Sequence, residues 1–375
     1  MSTTETGGSV YLEASVRSPI GLSHGALSGW HPVDLLSVVV EQLLEISGTA
    51  IDEIDRVLLG NATPVGALWS VGRGLAVASG WPGNIEVTEV SAGRASGHRA
   101  LALASELVAS GAADRVVVAT IDMASLVPPG APLLRRDYGK PWGPAAIARF
   151  GNDGDLPDGP FADALAIDRD AQDRYVLNQH LRAQSWRASA SEIQSRRLDS
   201  DRGVAVPGAM LTRDGAVRGD QSLAALGELS PMFDVAGTVT AASLSQAGDG
   251  AVAILVSSEP SHWQIGTTVS RASLPTDPFL PLFEAWRVDD QHSGVIGLSE
   301  TSAAHVLAAS QGLDIDIERV NPHGGALARG RLDGGESLAT LHDLTAAEGQ
   351  QFETVTLATL SGDGAALVTD LVVRL

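Results

Sequence analysis

Two strand-to-turn bends carry the small residues that let backbone N–H groups approach a ligand or a reacting atom. The run Ile85–Val90 feeds Ser91-Ala92-Gly93-Arg94-Ala95-Ser96-Gly97 and a helical pattern, and Thr354–Leu360 feeds Ser361-Gly362-Asp363-Gly364 and a further strand pattern. Glycine permits tight bends, and N–H groups at a helix start favour anions. Glycines also serve close packing alone, and the pattern leaves both uses open. One count narrows the chemistry: the chain contains no cysteine. Disulfides, thiolate zinc sites and cysteine nucleophiles are excluded together. Hydroxyls, carboxylates, guanidinium groups and nine histidines remain, and no metal site is expected.

Short apolar runs alternating with helical patterns must position these bends. Strands are predicted at Val10–Ala14, Arg56–Leu59, Ile85–Val90 and Arg115–Thr120, and helices at Leu35–Leu44, Gly72–Ala78 and Ala95–Ala109. This rhythm implies a buried sheet covered by helices. From about Leu126 to Met232 the chain is rich in Pro, Gly, Asp and Arg, and its clear elements are the helices Ala171–Ser185 and Ser222–Leu226. Strand logic returns at Gly250–Ser257 and Gly266–Ser270. A second set follows at Ser302–Ser310, Arg319–Val320, Glu336–Leu344, Thr354–Leu360 and Ala365–Val373. The plan is two α/β halves separated by an irregular insert.

Charge excludes some partners. The 375 residues include 45 acidic and 25 basic side chains, a formal charge of −20. Nucleic-acid binders carry a basic stripe, so no nucleic-acid partner is expected, nor an anionic membrane surface. No run approaches the roughly 20 apolar residues of a membrane span, and the small polar start, residues 1–8, is expected to be a frayed tail without targeting features. A cytoplasmic protein fits these features. A local basic and aromatic cluster, Arg135, Arg136, Tyr138, Lys140 and Trp142, reads as a contact surface.

Five ordered segments resemble the thiolase family. They are Arg17-Ser18-Pro19-Ile20-Gly21; Ala95-Ser96-Gly97 with its following helix and strand; Arg169-Asp170-Ala171-Gln172-Asp173; Gly237-Thr238-Val239-Thr240-Ala241-Ala242 with Gly248-Asp249-Gly250-Ala251; and Asn321-Pro322-His323-Gly324-Gly325-Ala326. The resemblance implies an α/β thiolase fold, two βαβαβαββ halves in five layers. Its expected boundaries are 9–125 and 233–258 for the N-terminal half, 126–232 for the inserted loop domain and 259–375 for the C-terminal half. It further implies acyl-CoA chemistry, with a coenzyme A thioester as ligand and no other cofactor.

The departures bear directly on function. The family's nucleophilic cysteine, directly before Ala-Ser-Gly, corresponds to Arg94, and its Gly-His-Pro histidine to Arg331. Its second cysteine corresponds to Ser361 or a neighbour. The asparagine of its Asn-Glu-Ala-Phe segment corresponds to Ser299, leaving Glu300 as the survivor. A guanidinium stays protonated and has no lone pair with which to attack a thioester or take a proton. Standard thiolase chemistry is therefore not expected. A cation at the start of the Ala95–Ala109 helix opposes the macrodipole by a few tenths to about 1 kcal/mol. Arg94 is accordingly expected in a buried alternating cluster with Glu300, Arg331 and Asp363. An anion pocket is the alternative.

Other candidates follow from the same motifs. Ser245 matches the family serine that hydrogen-bonds the pantetheine arm, and so is the candidate coenzyme A contact. His323, with Ser361 or Ser96, is the candidate substitute base; His98 and His305 also fall in or near motifs. The expected function is a non-catalytic thiolase-like subunit supporting an active thiolase or related acyl-CoA enzyme. It would work as a homodimer or as a heteromer with a cysteine-containing thiolase, with room for a small acyl-CoA-associated accessory protein. The alternative is an acyltransferase, lyase or condensing enzyme with a rebuilt active site.

Overall fold

The structure is a computed structural model that describes residues 8–63, 70–127, 145, 148, 162–186, 193–199, 204–273, 279–288, 292–346, 352–361 and 364–374. The first half contains β1 (Val10–Arg17), β2 (Gly21–Leu22), α1 (Pro32–Ser47), β3 (Arg56–Gly60), α2 (Val71–Ala78), β4 (Glu86–Val90), α3 (Ser96–Ala109) and β5 (Arg115–Met123). The middle contributes α4 (Arg169–Ser185), β6 (Ile193–Asp199), β7 (Val204–Leu211) and α5 (Leu223–Gly227). After β8 (Gly248–Ser257) come β9 (Trp263–Ile265), β10 (Val269–Ala272), α6 (Leu280–Trp286), β11 (Val295–Leu298), α7 (Ala303–Leu313), α8 (Ala326–Arg329), α9 (Glu336–Thr345), β12 (Thr354–Ser361) and β13 (Ala365–Val373).

The strands form one large mixed sheet in the order β11-β12-β13-β9-β1-β8-β5-β3-β4, with β10 on β13 and β2 on β8; β6 and β7 form a separate hairpin. The short β9 joins the halves, since Ile265 pairs with Val10 of β1 and with Leu371 of β13. Strand β8 is buried at every position, as a strand covered on both faces must be.

Alternation along the strands sorts the core into layers. Ala251, Ala253 and Leu255 of β8 face α1 and α2 in a cluster with Leu36, Val40 and Leu75. Val252, Ile254 and Val256 face the opposite way, onto Leu101 and Ala104 of α3 and Leu338 and Leu341 of α9. The same central cluster includes Val355 and Leu357 of β12, while Ala358 and Val368 turn outward to α6 and α7. Helix, sheet, helix, sheet, helix is the resulting order. The five-layer expectation is met, and α3 and α9, which follow the bends of interest, occupy the central layer.

Candidate functional site

Arg94 closes the bend between β4 and α3. Gly93 takes φ +53°, a left-handed value suited to glycine. Ser96 pins this turn, its Oγ donating to Gly93 O at 2.6 Å and accepting from Ala92 N at 2.9 Å. The facing turn, from α8 to α9, starts at Gly330 with φ +100°. Arg331 N donates to Gln246 O at 2.7 Å, and Gly248 N donates to Arg331 O at 2.8 Å. The two turns touch where Gly97 N donates to Gly334 O at 2.9 Å. A Cβ on Gly97 would lie 2.7 Å from that oxygen, so this approach requires glycine.

The side chains build one constellation from both halves. Arg331 Nε donates to Asp333 Oδ1 at 2.8 Å, and its Nη1 donates to Ser245 O at 3.2 Å and Ser245 Oγ at 3.0 Å. Arg94 Nε lies 3.9 Å from the same Asp333 oxygen. Beneath them, Asp122 at the end of β5 accepts from Gly334 N at 3.1 Å and Gly335 N at 2.9 Å. Burial, reinforced by Asp333, pushes the Asp122 carboxyl up to about 7.

This geometry corrects the expected cluster. Among the described residues the acid shared by Arg94 and Arg331 is Asp333, not Glu300. Fully buried Glu300 accepts from the Tyr175 hydroxyl, from Asn321 Nδ2 at 2.8 Å and from Leu327 N at 2.9 Å. It serves as an internal brace for α4 and α8. Asp363 lies outside the described residues, as does the 135–142 cluster. Nor is Arg94 deeply buried: its side chain is 22% exposed, against 9% for Arg331. The available signal was local, because Arg331-Leu332-Asp333 places an acid two residues beyond the cation within one turn.

The remaining candidates occupy definite roles. Ser245 Oγ donates to Thr301 O at 3.0 Å while accepting from Arg331. Ser299 Oγ accepts from Leu360 N at 3.0 Å, and Ser361 is buried. His323 stacks on Trp186 with ring centres 3.5 Å apart, and burial lowers its pKa to about 4. Fully buried His98 joins the halves, with Nδ1 2.8 Å from Thr359 Oγ1 and Nε2 2.7 Å from Thr369 Oγ1; burial lowers its pKa to about 3. His305 Nδ1 lies 2.7 Å from the Ser302 hydroxyl that caps α7. A cavity of about 120 Å³ lies beside the Ser245 segment, lined by residues including His180, Arg218, Leu244 and Gln246. Organic-ligand pockets usually measure about 300–1,000 Å³.

Sequence reasoning missed a buried ion network. Arg17 donates from Nη1 and Nη2 to Asp214 at 2.8 and 2.9 Å and from Nε to Asp343 at 2.8 Å. Arg329 donates to Asp343 at 3.1 Å and to Glu336 at 2.9 Å. Thus β1, α8, α9 and the segment containing Asp214 are tied together. Arg17 had been visible only as part of a turn motif, and its acids lie 197 and 326 residues away.

Comparison with known proteins identifies the architecture. The family model for the thiolase N-terminal domain matches residues 10–136 and 159–260. The chain belongs to the thiolase family. A probable acetyl-CoA acetyltransferase of Escherichia coli (strain K12) is 29% identical, the match covering 96% of this chain and 98% of the relative. One from Mycolicibacterium smegmatis (strain ATCC 700084 / mc(2)155) is 27% identical over 95% and 99%. The Bacillus anthracis acetyl-CoA acetyltransferase crystal structure superposes with a TM-score of 0.82 at 22% identity, covering 99% of this chain and 100% of that one. Within this thiolase scaffold, the constellation above can attract and hydrogen-bond an anion, but its two guanidinium groups cannot act as nucleophile or base.

Proposed function

We propose that this thiolase-family chain is a non-catalytic subunit that pairs with and supports an active thiolase or related acyl-CoA enzyme. The observation carrying this reading is the Arg94–Asp333–Arg331 constellation at the meeting of the two turns. Acyl transfer needs an activated nucleophile and a base. Here the guanidinium groups take the positions that the resemblance assigns to the nucleophile and its histidine, and the Ser96 hydroxyl is engaged within its own bend. His323 is neutral at pH 7, but its ring is committed to Trp186. The relatives named acetyl-CoA acetyltransferase support an acyl-CoA setting. The Ser245 hydroxyl donates to Thr301 O and accepts from Arg331, which leaves one lone pair with which it could accept a pantetheine amide N–H. The cysteine-free chain fits the cytoplasm, and none of the described helices is long and apolar enough to cross a membrane.

Assembly follows from a sheet edge. Strand β4 ends the main sheet, and its residues alternate between exposed Glu86 and Thr88 and more buried Val87, Glu89 and Val90. An edge with unpaired backbone groups favours pairing with a second chain. Light scattering at micromolar concentration is expected to give a homodimer, or a heteromer when a cysteine-containing thiolase is co-expressed. A stable, soluble monomer that captures no such partner, as measured by the mass of the purified complex, would overturn the subunit reading.

A further inference from the structure

We infer that the cavity between α3 and the segment after β9 binds a small ligand carrying a primary ammonium group, apart from the Arg94 and Arg331 turns. Its volume is about 390 Å³, within the range of about 300–1,000 Å³ usual for organic-ligand pockets. The inference goes beyond the subunit reading and does not rest on it.

The cavity is built from both halves. Ala102, Ser105, Glu106 and Ala109 recur along one face of α3 and line one side, while Thr267 and Thr268 line another. Strand β9 completes the lining through Ile265, which pairs with Val10 of β1 and Leu371 of β13. Backbone bonds fix these walls in place. Gly8 N donates to Ala109 O at 2.9 Å, and Gly266 N donates to Asp370 O at 2.8 Å. A Cβ on Gly266 would lie 2.9 Å from that oxygen, so glycine lets this segment sit close against β13. The two alanines on the α3 face leave the space opposite them unfilled. Ser105 stands about 14 Å along the helix from Ser96 at the Arg94 turn.

The lining selects a cation that donates hydrogen bonds. Glu106 brings an exposed carboxylate, and among the described residues no basic side chain lines the cavity. Arg99, three residues before Ala102 on α3, is engaged elsewhere, its Nη2 donating to Ser270 Oγ at 2.7 Å. Ser105 spends its hydroxyl proton on Leu101 O at 3.0 Å, so toward a ligand it can only accept. A primary ammonium carries three N–H donors and no acceptor. It therefore matches a carboxylate beside an accepting hydroxyl, and its bond to Glu106 is charge-assisted. A short alkyl body fits against Ala102, Ala109 and Ile265. The net charge of −20 favours the approach of a cation. A ligand bound here touches both halves and the strand that joins them, so occupancy stabilises the folded chain by linkage.

The test uses the purified full chain with n-butylammonium chloride as the probe. Controls are n-butanol, which lacks the charge, and tetramethylammonium chloride at equal ionic strength, which lacks N–H donors. Calorimetric titration and thermal melts are read for wild type, Glu106→Gln and Ala109→Leu. The probe should bind wild type and raise its melting temperature above both controls. Glu106→Gln should weaken binding about tenfold or more, as expected for a lost charge-assisted hydrogen bond. Ala109→Leu, which fills the cavity but keeps the carboxylate, should weaken it as well and so separates a cavity from surface ion pairing. Glu106 is exposed, so its variant keeps the test decisive if Ala109→Leu folds poorly. No response beyond the two controls, or an unchanged response in Glu106→Gln or in folded Ala109→Leu, would overturn the site.

Discussion

Arg17→Ala is expected to destabilise the protein by about 3–5 kcal/mol, the range for breaking a buried pair by removing one partner. Arg17 is 1% exposed and binds Asp214 and Asp343, which are 9% and 5% exposed. Its loss takes the guanidinium partner from Asp214 and one of two from Asp343, which keeps Arg329. Burial alone would push the Asp343 carboxyl up, but Arg17 and Arg329 together hold it below its ordinary range. Arg17→Lys should recover only part of the loss, because a compact ammonium cannot reproduce the two-pronged grip on Asp214 and the Nε bond to Asp343 together. Denaturant midpoints of the two variants check this ordering. An Arg17→Ala loss below about 1 kcal/mol, typical of a surface pair, would contradict it.

The stability that three buried histidines contribute should be complete above about pH 6.5 and fall toward acid. The buried His98 has a folded pKa of about 3, below the unfolded value of 6.5. The unfolded state therefore takes the proton first. The His98 contribution is complete above pH 6.5 and falls by about 1.4 kcal/mol per unit as pH drops toward 3. His180 and His323, each lowered to about 4 by burial, act in the same direction. Four carboxyls oppose them, since burial also raises Asp173 and Asp249 above their ordinary range. Burial raises Asp122 and Glu336 to about 7, so their contributions are complete below their unfolded values and vanish as pH rises through 7. Between about pH 4.5 and 6.5 the histidines and the raised carboxyls act with opposite signs; above 6.5 Asp122 and Glu336 lose their contributions as pH rises through 7. Thermal melts from pH 4 to 8 of wild type and a His98 variant read the histidine contribution. His98→Gln, which cannot take a proton, should flatten the acid limb relative to wild type. An unchanged acid slope would remove His98 from the account.

The sequence made the central layer legible because its signals are local. The small-residue bend at Ser91–Gly97 and the apolar spacing after it located α3, found at Ser96–Ala109. Strand β8 was readable as an uninterrupted apolar run, and it is buried throughout. The predicted strand Gly266–Ser270 instead forms at Val269–Ala272, where residues pair with β13. The β6–β7 hairpin was missed: its β6 sequence, Ile193–Asp199, is mostly polar and shows no apolar alternation. The three-residue β9 that joins the halves is too short to announce itself.

The site was legible in its positions but not in its pairings. Motif order located Arg94 and Arg331 without revealing which acid would reach them. Asp333 gained that role through the close contact of two turns, fixed by the Gly97–Gly334 bond and the Asp122 anchor. Glu300 lay on a convergent motif, yet Tyr175 and Asn321 claim it. Such choices depend on donors from distant segments, for which residue type and spacing carry no signal.

The most direct measurement of the central claim is 3-ketoacyl-CoA thiolysis by the purified chain, prepared from a host lacking its own thiolase. The account predicts no turnover above the buffer rate. It predicts none in Arg94→Cys either, because Arg331 still supplies no base to activate the new thiol. Turnover by the wild-type chain would contradict the account.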